Sequence, residues 1–168
     1  VDESNPYDAR DPVITGSFKN PGHGTATLAI LAGKKIQPHN IPNFDDYVGG
    51  SPFAKIIPIR IANSVVHFYS SAMVKGINYA VEKGCKVISI SMGGIPSKAW
   101  AEAVNRAYDE GVIICAAAGN RYGISPPTEI IYPARFRRVI AVCGATANKT
   151  PYYKTDNYTN MQGCFGPS

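Results

Sequence analysis

From Ser70 to Gly144 the chain alternates helix-like and strand-like stretches, and this rhythm constrains the fold more than any other feature. Met73, Ile77, Ala80 and Val81 fall at i, i+4, i+7 and i+8, one apolar stripe along a helix from about Ser70 to Lys83 that Gly84 ends. Cys85–Ile90 follows as a strand. Ser97 caps a second helix with Trp100, Ala103, Val104, Ala107 and Tyr108 on one face and Gly111 past its end. Val112–Ala117 reads as a buried strand, and Arg138–Gly144 as a last one. Strands separated by helices of this size imply α/β architecture: a three-layer fold with a mostly parallel sheet flanked by helices. Both apolar stripes then belong to the core. Ligands of such sheets gather beyond the carboxyl ends of the strands, where Ser91–Gly93 and Gly119–Asn120 lie.

The first third is less regular. Residues 1–20 carry scattered Asp, Asn, Pro and Gly. A helix runs from about His23 to Ala32, with Gly33 as its stop. Residues 34–54, with three prolines and two glycines, form a long loop. Ile56–Ile61 reads as a short strand at an edge or bulge, because Pro58 lacks the N–H a central strand needs.

At 168 residues the length fits one domain, and a hydrophobic fraction of 45% can bury a core. The net charge is +5, but the basic residues are scattered apart from Arg135, Arg137 and Arg138, which reads as a solvated face and not a nucleic-acid site. No apolar run reaches the ~18 residues of a membrane span, and these residues carry no signal-peptide pattern, which for a fragment says nothing about the parent. No G-x-G-x-x-G follows a strand and there is no Walker loop, which argues against nucleotide binding. Cys85, Cys115, Cys143 and Cys164 form no C-x-x-C pair. Cys115 and Cys143 lie in expected buried strands, where a thiol acts as a small apolar group, so no structural disulfide is expected there. His39 and His67 lack ligand-type neighbours at metal spacing and read as surface or boundary residues. Asp45-Asp46 reads as a solvated loop and only weakly as part of a calcium site.

Gly22-His23-Gly24-Thr25 opens the apolar run Ala26–Gly33. A histidine in the first turn of a helix, between two glycines, presents its ring where another segment can approach. That suits a general base, which must reach a nucleophile at hydrogen-bond distance. The plainer alternative is a histidine that only helps start the helix. Asn120 after Ala116-Ala117-Ala118-Gly119 offers an amide at a strand end, or is merely a turn residue.

Together with Val87–Gly94, Val112–Asn120 and Tyr132-Pro133-Ala134-Arg135-Phe136, the His23 segment resembles, in this order, the subtilisin-like serine peptidases (subtilases) over nearly the whole chain. The resemblance implies a serine endopeptidase with an Asp-His-Ser triad, in the chain order of subtilisin. It makes His23 the base and Asn120 the oxyanion donor. It makes Ser91, Met92 and Gly93 a strand edge for extended substrate, with Ala117, Ala118 and Gly119 as the facing wall of the pocket for the side chain before the cut. Ile131, before the Tyr-Pro-Ala motif, falls at the base of that pocket and Arg121 near its mouth, which implies a preference for small or short acidic residues there. It also implies a cis bond before Pro133. A peptide or protein is the implied partner. No cofactor is implied as required, and a structural calcium is not supported by this sequence.

Two parts of the family pattern are missing. Asp2 lacks the Thr/Ser-Gly that follows the family's aspartate. Val1 and Asn5-Pro6 fit positions after that motif, so the aspartate falls before the chain begins. No Gly-Thr-Ser nucleophile motif occurs, and Gly163–Ser168 resembles the stretch preceding it. The chain is therefore expected to be a central fragment, inactive alone, with one side of its sheet uncovered and prone to self-association. A non-catalytic, peptide-binding or scaffold domain of the same fold is the alternative. Ala29 stands where the family usually has glycine. The compartment stays open, with a secreted or cell-envelope parent implied by family only.

Overall fold

The computed structural model describes residues 22–36, 46–62, 66–67, 69–119, 130–145 and 148–149. It divides into two compact units, residues 1–64 and 65–168.

In the first unit Gly22 turns the chain at φ 78° into α1, His23–Ala32, as the sequence suggests. Thr27 Oγ1 donates back to the Gly24 carbonyl at 3.0 Å. The last carbonyls of a helix lack intrahelical donors. Here the returning chain supplies them: Gly50 N–H donates to Ile30 O at 3.0 Å and Ser51 N–H to Leu31 O at 2.8 Å. Lys35 and Tyr47 form an antiparallel bridge, and Tyr47 meets Phe53 edge-on at 5.2 Å. No residue of α1 is buried, and Ile30 is 70% exposed.

Ile56–Ile61 is not a strand. Pro58 lacks a ladder donor, and among the described residues no partner strand takes up the segment. The strand of this region is β1, Val66–His67, in the second unit.

There, α2 (Ser71–Glu82) leads through Gly84 to β2 (Val87–Ile90), β3 (Gly93–Gly94), α3 (Lys98–Asp109), β4 (Ile113–Ala117) and β5 (Val139–Val142). The sheet β2-β4-β5 is wholly parallel, with Ile88 beside Ile114 and Ile114 beside Val139. The register places Ile90, Ile114 and Ala116 on one buried face. α3 packs against β4 and α2 packs against α3. Met73, Ile77 and Ala80 of α2 and Trp100, Ala103, Val104 and Ala107 of α3 are buried. Each large apolar side chain so buried contributes roughly 1.5–3 kcal/mol. Tyr108 departs from the expected stripe. It is 54% exposed and lies under the Arg138 guanidinium, 4.6 Å from its ring centre. Arg138 also reaches Asp109 at 2.7 Å, and Arg106 donates to Asn78 across the two helices.

Alternate residues face the other way, and there Val87, Ile113, Ile140 and Val142 are each about half exposed while Cys115 is half-buried. The Val112–Ala117 run is thus not buried on both faces, and Cys115 and Cys143 are only half-buried.

Candidate functional site

The expected substrate-side residues of the second unit that are described lie at or beside the carboxyl ends of β2 and β4. Ser91 and Met92, both half-buried, leave β2 and lead into the buried Gly93. Ala118 and Gly119, both buried, leave β4. Ala118 N–H donates to Val142 O at 2.9 Å, which extends the β4–β5 ladder by one residue.

Ile131 arrives beside these two ends. Its N–H donates to Ala118 O at 2.9 Å. The next residue, Tyr132, accepts from Gly94 N–H at 3.1 Å and forms an antiparallel bridge with Gly94. The segment thus stitches the end of β4 to β3. The Ile131 side chain then stands over both glycines. A β-carbon on Gly93 would overlap Ile131 Cδ1 and lie 3.2 Å from Cγ1 and 3.0 Å from Tyr132 O. One on Gly119 would lie 3.1 Å from both Ile131 Cγ1 and Cγ2, and Gly119 also holds φ at +117°. The missing side chain at Gly93 thus leaves room for Ile131.

The bend after Ile131 is held tightly. The Tyr132–Pro133 bond is cis, as expected. Pro133 and Ala134 are buried. Phe136 N–H donates to Pro133 O at 2.9 Å, and the Phe136 ring meets Tyr132 at 4.7 Å and Trp100 at 5.9 Å, both edge-on.

Two features escaped the sequence reading. β1 pairs in parallel with β3, Val66 beside Gly93 and His67 beside Gly94. With Tyr132 on its other side, Gly94 is paired on both flanks. The β-branched Val65-Val66 pair was the available signal for β1. Nothing in the sequence marks Tyr132 as a main-chain acceptor.

His23 is half-buried as the first residue of α1 in its own unit. Ala117 is half-buried at the end of β4. Asn120 and Arg121 lie outside the described residues, as do Asp2, His39, Asp45 and Cys164. The Asp46 carboxylate accepts from Tyr47 N–H at 2.7 Å. Among the described residues, no group of three or more His, Cys, Asp or Glu could hold a metal ion, and no helix is long and apolar enough to cross a membrane.

A sequence model of the subtilase family matches residues 2–167. Subtilisin DY of Bacillus licheniformis is 35% identical over 129 residues, covering 76% of this chain and 44% of its own. Thermitase of Thermoactinomyces vulgaris is 34% identical over 128 residues, covering 76% of this chain and 42% of its own. The chain thus spans less than half the length of these curated relatives. Among solved structures, sphericase superposes with a TM-score of 0.51 at 31% identity, over 70% of this chain and 40% of that one. The protease domain of PatA gives a TM-score of 0.56 at 22% identity, over 82% and 48%, a likeness of fold alone.

Proposed function

This chain belongs to the subtilase family, and on that premise we propose that it is the central part of a single catalytic domain of a serine endopeptidase. His23 takes the proton of the nucleophilic serine and returns it to the leaving amine. The Asn120 side chain donates to the oxyanion that forms on the scissile carbonyl. Ser91, Met92 and Gly93 line one side of the substrate, and Ala117, Ala118 and Gly119 the other, with Ile131 between them and Arg121 near the opening. Subtilases as a class work without a cofactor.

The observation that carries this reading is the meeting of Gly93, Gly119 and Ile131 at the carboxyl ends of adjacent parallel strands, where sheets of this kind hold their ligands. His23 adds to it: a half-buried imidazole opening a helix suits a base that must reach a neighbour. The 168-residue polypeptide alone is inactive, because no Gly-Thr-Ser motif occurs in it to supply the nucleophile. Its half-exposed apolar sheet face, with Val87, Ile113, Ile140 and Val142, drives self-association of that polypeptide.

The test is Asn120→Ala in the complete protein. Removing one oxyanion donor costs roughly 10²–10³ in kcat in subtilisin, where the effect was measured, and the same scale is expected here by analogy. KM should move little. A variant with unchanged kcat removes Asn120 from the chemistry.

A further inference from the structure

We propose that the Ser70–Ser97 hydroxyl pair is a positioning device: it holds the chain at Ser91–Gly93 in place by tying two like strand–turn–helix units together; this rests on the peptidase reading above. The units are offset by 27 positions, the spacing of the two serines. α2 and α3 each span 12 residues, and Ser70 and Ser97 stand immediately before them. Three pairs of buried residues correspond: Met73 with Trp100, Ile77 with Val104, Ala80 with Ala107. Gly84 and Gly111 follow the helices at φ 73° and 76°. Cys85 N–H then returns to Ala80 O as Val112 N–H returns to Ala107 O. The same offset pairs β1 with β3, Val66 beside Gly93 and His67 beside Gly94.

The units differ in what their serines do. Ser97 is extended, at φ -140° and ψ 161°, and its Oγ accepts from Trp100 N–H at 3.2 Å. Ser70 lies at φ -87° and ψ -6°, makes no cap bond, and brings its hydroxyl to 2.5 Å from Ser97 Oγ. That hydroxyl serves the neighbouring unit and not its own helix. Both serines are half-buried, where a hydrogen bond is stronger than in water. Two residues separate His67 from Ser70, and two separate Gly94 from Ser97. The strand pair, these equal connections and the hydroxyl bond therefore close a ring around the exit of β3. The ladder in that ring is two residues long and parallel, the weaker kind of pairing, so the bond at the far end of the ring adds much of its stiffness. Ser91–Gly93 lead directly into it. A strand edge that takes up extended substrate supplies affinity through main-chain bonds. Loosening that edge raises KM and leaves kcat.

The experiment compares the complete protein with its Ser70→Ala and Ser70→Thr variants on an extended peptide and on a blocked single-residue ester, which has no length of main chain to lay along an edge. Ser70→Ala leaves the Ser97 cap in place. Its KM for the extended peptide should rise roughly 2–10-fold, the scale of one hydrogen bond, with kcat and both constants for the ester unchanged. Ser70→Thr keeps a hydroxyl and should restore KM. Ile77→Val, a small cavity in the same helix that lowers stability, should leave KM alone. Hydrogen exchange gives a readout that needs no activity. The Gly94 amide, which donates to Tyr132 O, should exchange faster in Ser70→Ala, while the Ile114 amide of β4 should not. An unchanged KM in Ser70→Ala, an equal rise for the ester or in Ile77→Val, a Ser70→Thr variant as impaired as Ser70→Ala, or unchanged exchange at Gly94 overturns the positioning role alone. No hydrolysis of any peptide by the complete protein overturns the peptidase reading, and faster exchange at Gly94 in Ser70→Ala would still show the tie between the two units.

Discussion

Tyr132 and Gly94 share a main-chain hydrogen bond at 3.1 Å, and through it the segment that precedes β5 is tied to β3. Ile131 is thereby fixed over Gly119, whose φ of +117° already disfavours any side chain. Gly119→Ala combines backbone strain with a contact at 3.1 Å. A loss of about 1–3 kcal/mol is expected from such strain, read as a lower midpoint in chemical denaturation. An unchanged midpoint would show that this backbone is not held as described.

A second prediction concerns the joint between the helices. Ser97 Oγ accepts from Trp100 N–H at 3.2 Å at the start of α3, and it lies 2.5 Å from the Ser70 hydroxyl at the start of α2. Ser97→Ala removes the cap and strands Ser70. A destabilisation of about 0.5–2 kcal/mol is expected. Ser70→Ala should be milder, since Ser70 makes no side-chain cap bond of its own. Equal effects would contradict this ranking.

The helices of the second unit were legible because Met73, Ile77 and Ala80, and Trp100, Ala103, Val104 and Ala107, repeat at helical spacing and that spacing sets what is buried. Tyr108 extends the same stripe, yet it ends exposed under Arg138 at the last turn. The strand expected at Ile56–Ile61 failed because an apolar run says nothing about whether a partner exists. β1 left only the short β-branched pair Val65-Val66 as a signal. Its partner is Gly93–Gly94, a pair without side chains, so the partner's side of the pairing leaves no pattern. Ser91–Gly93 and Ala117–Gly119 could be placed at strand ends from the sequence, and the resemblance named Ile131 beside them. The contact of its side chain with Gly93, 38 positions away, is one that no local pattern encodes.

A third prediction follows from the outward face of the sheet. Val87 and Ile113 are paired in register and are 57% and 51% exposed. The 168-residue polypeptide should associate as its concentration rises, seen in sedimentation velocity. Ile113→Lys should suppress this without unfolding the chain, because the residue lies on the exposed face. A monomer at high concentration that binds no dye for apolar surfaces would contradict the proposal.

The most direct test compares the complete protein, its His23→Ala variant and the 168-residue polypeptide against an unstructured protein substrate and a serine-directed fluorophosphonate probe. The account predicts that only the complete protein turns over substrate and is labelled. His23→Ala should lose roughly 10⁴-fold or more in kcat, the scale known from triad removal in subtilisin. Undiminished turnover in His23→Ala, or labelling of the 168-residue polypeptide, would contradict it.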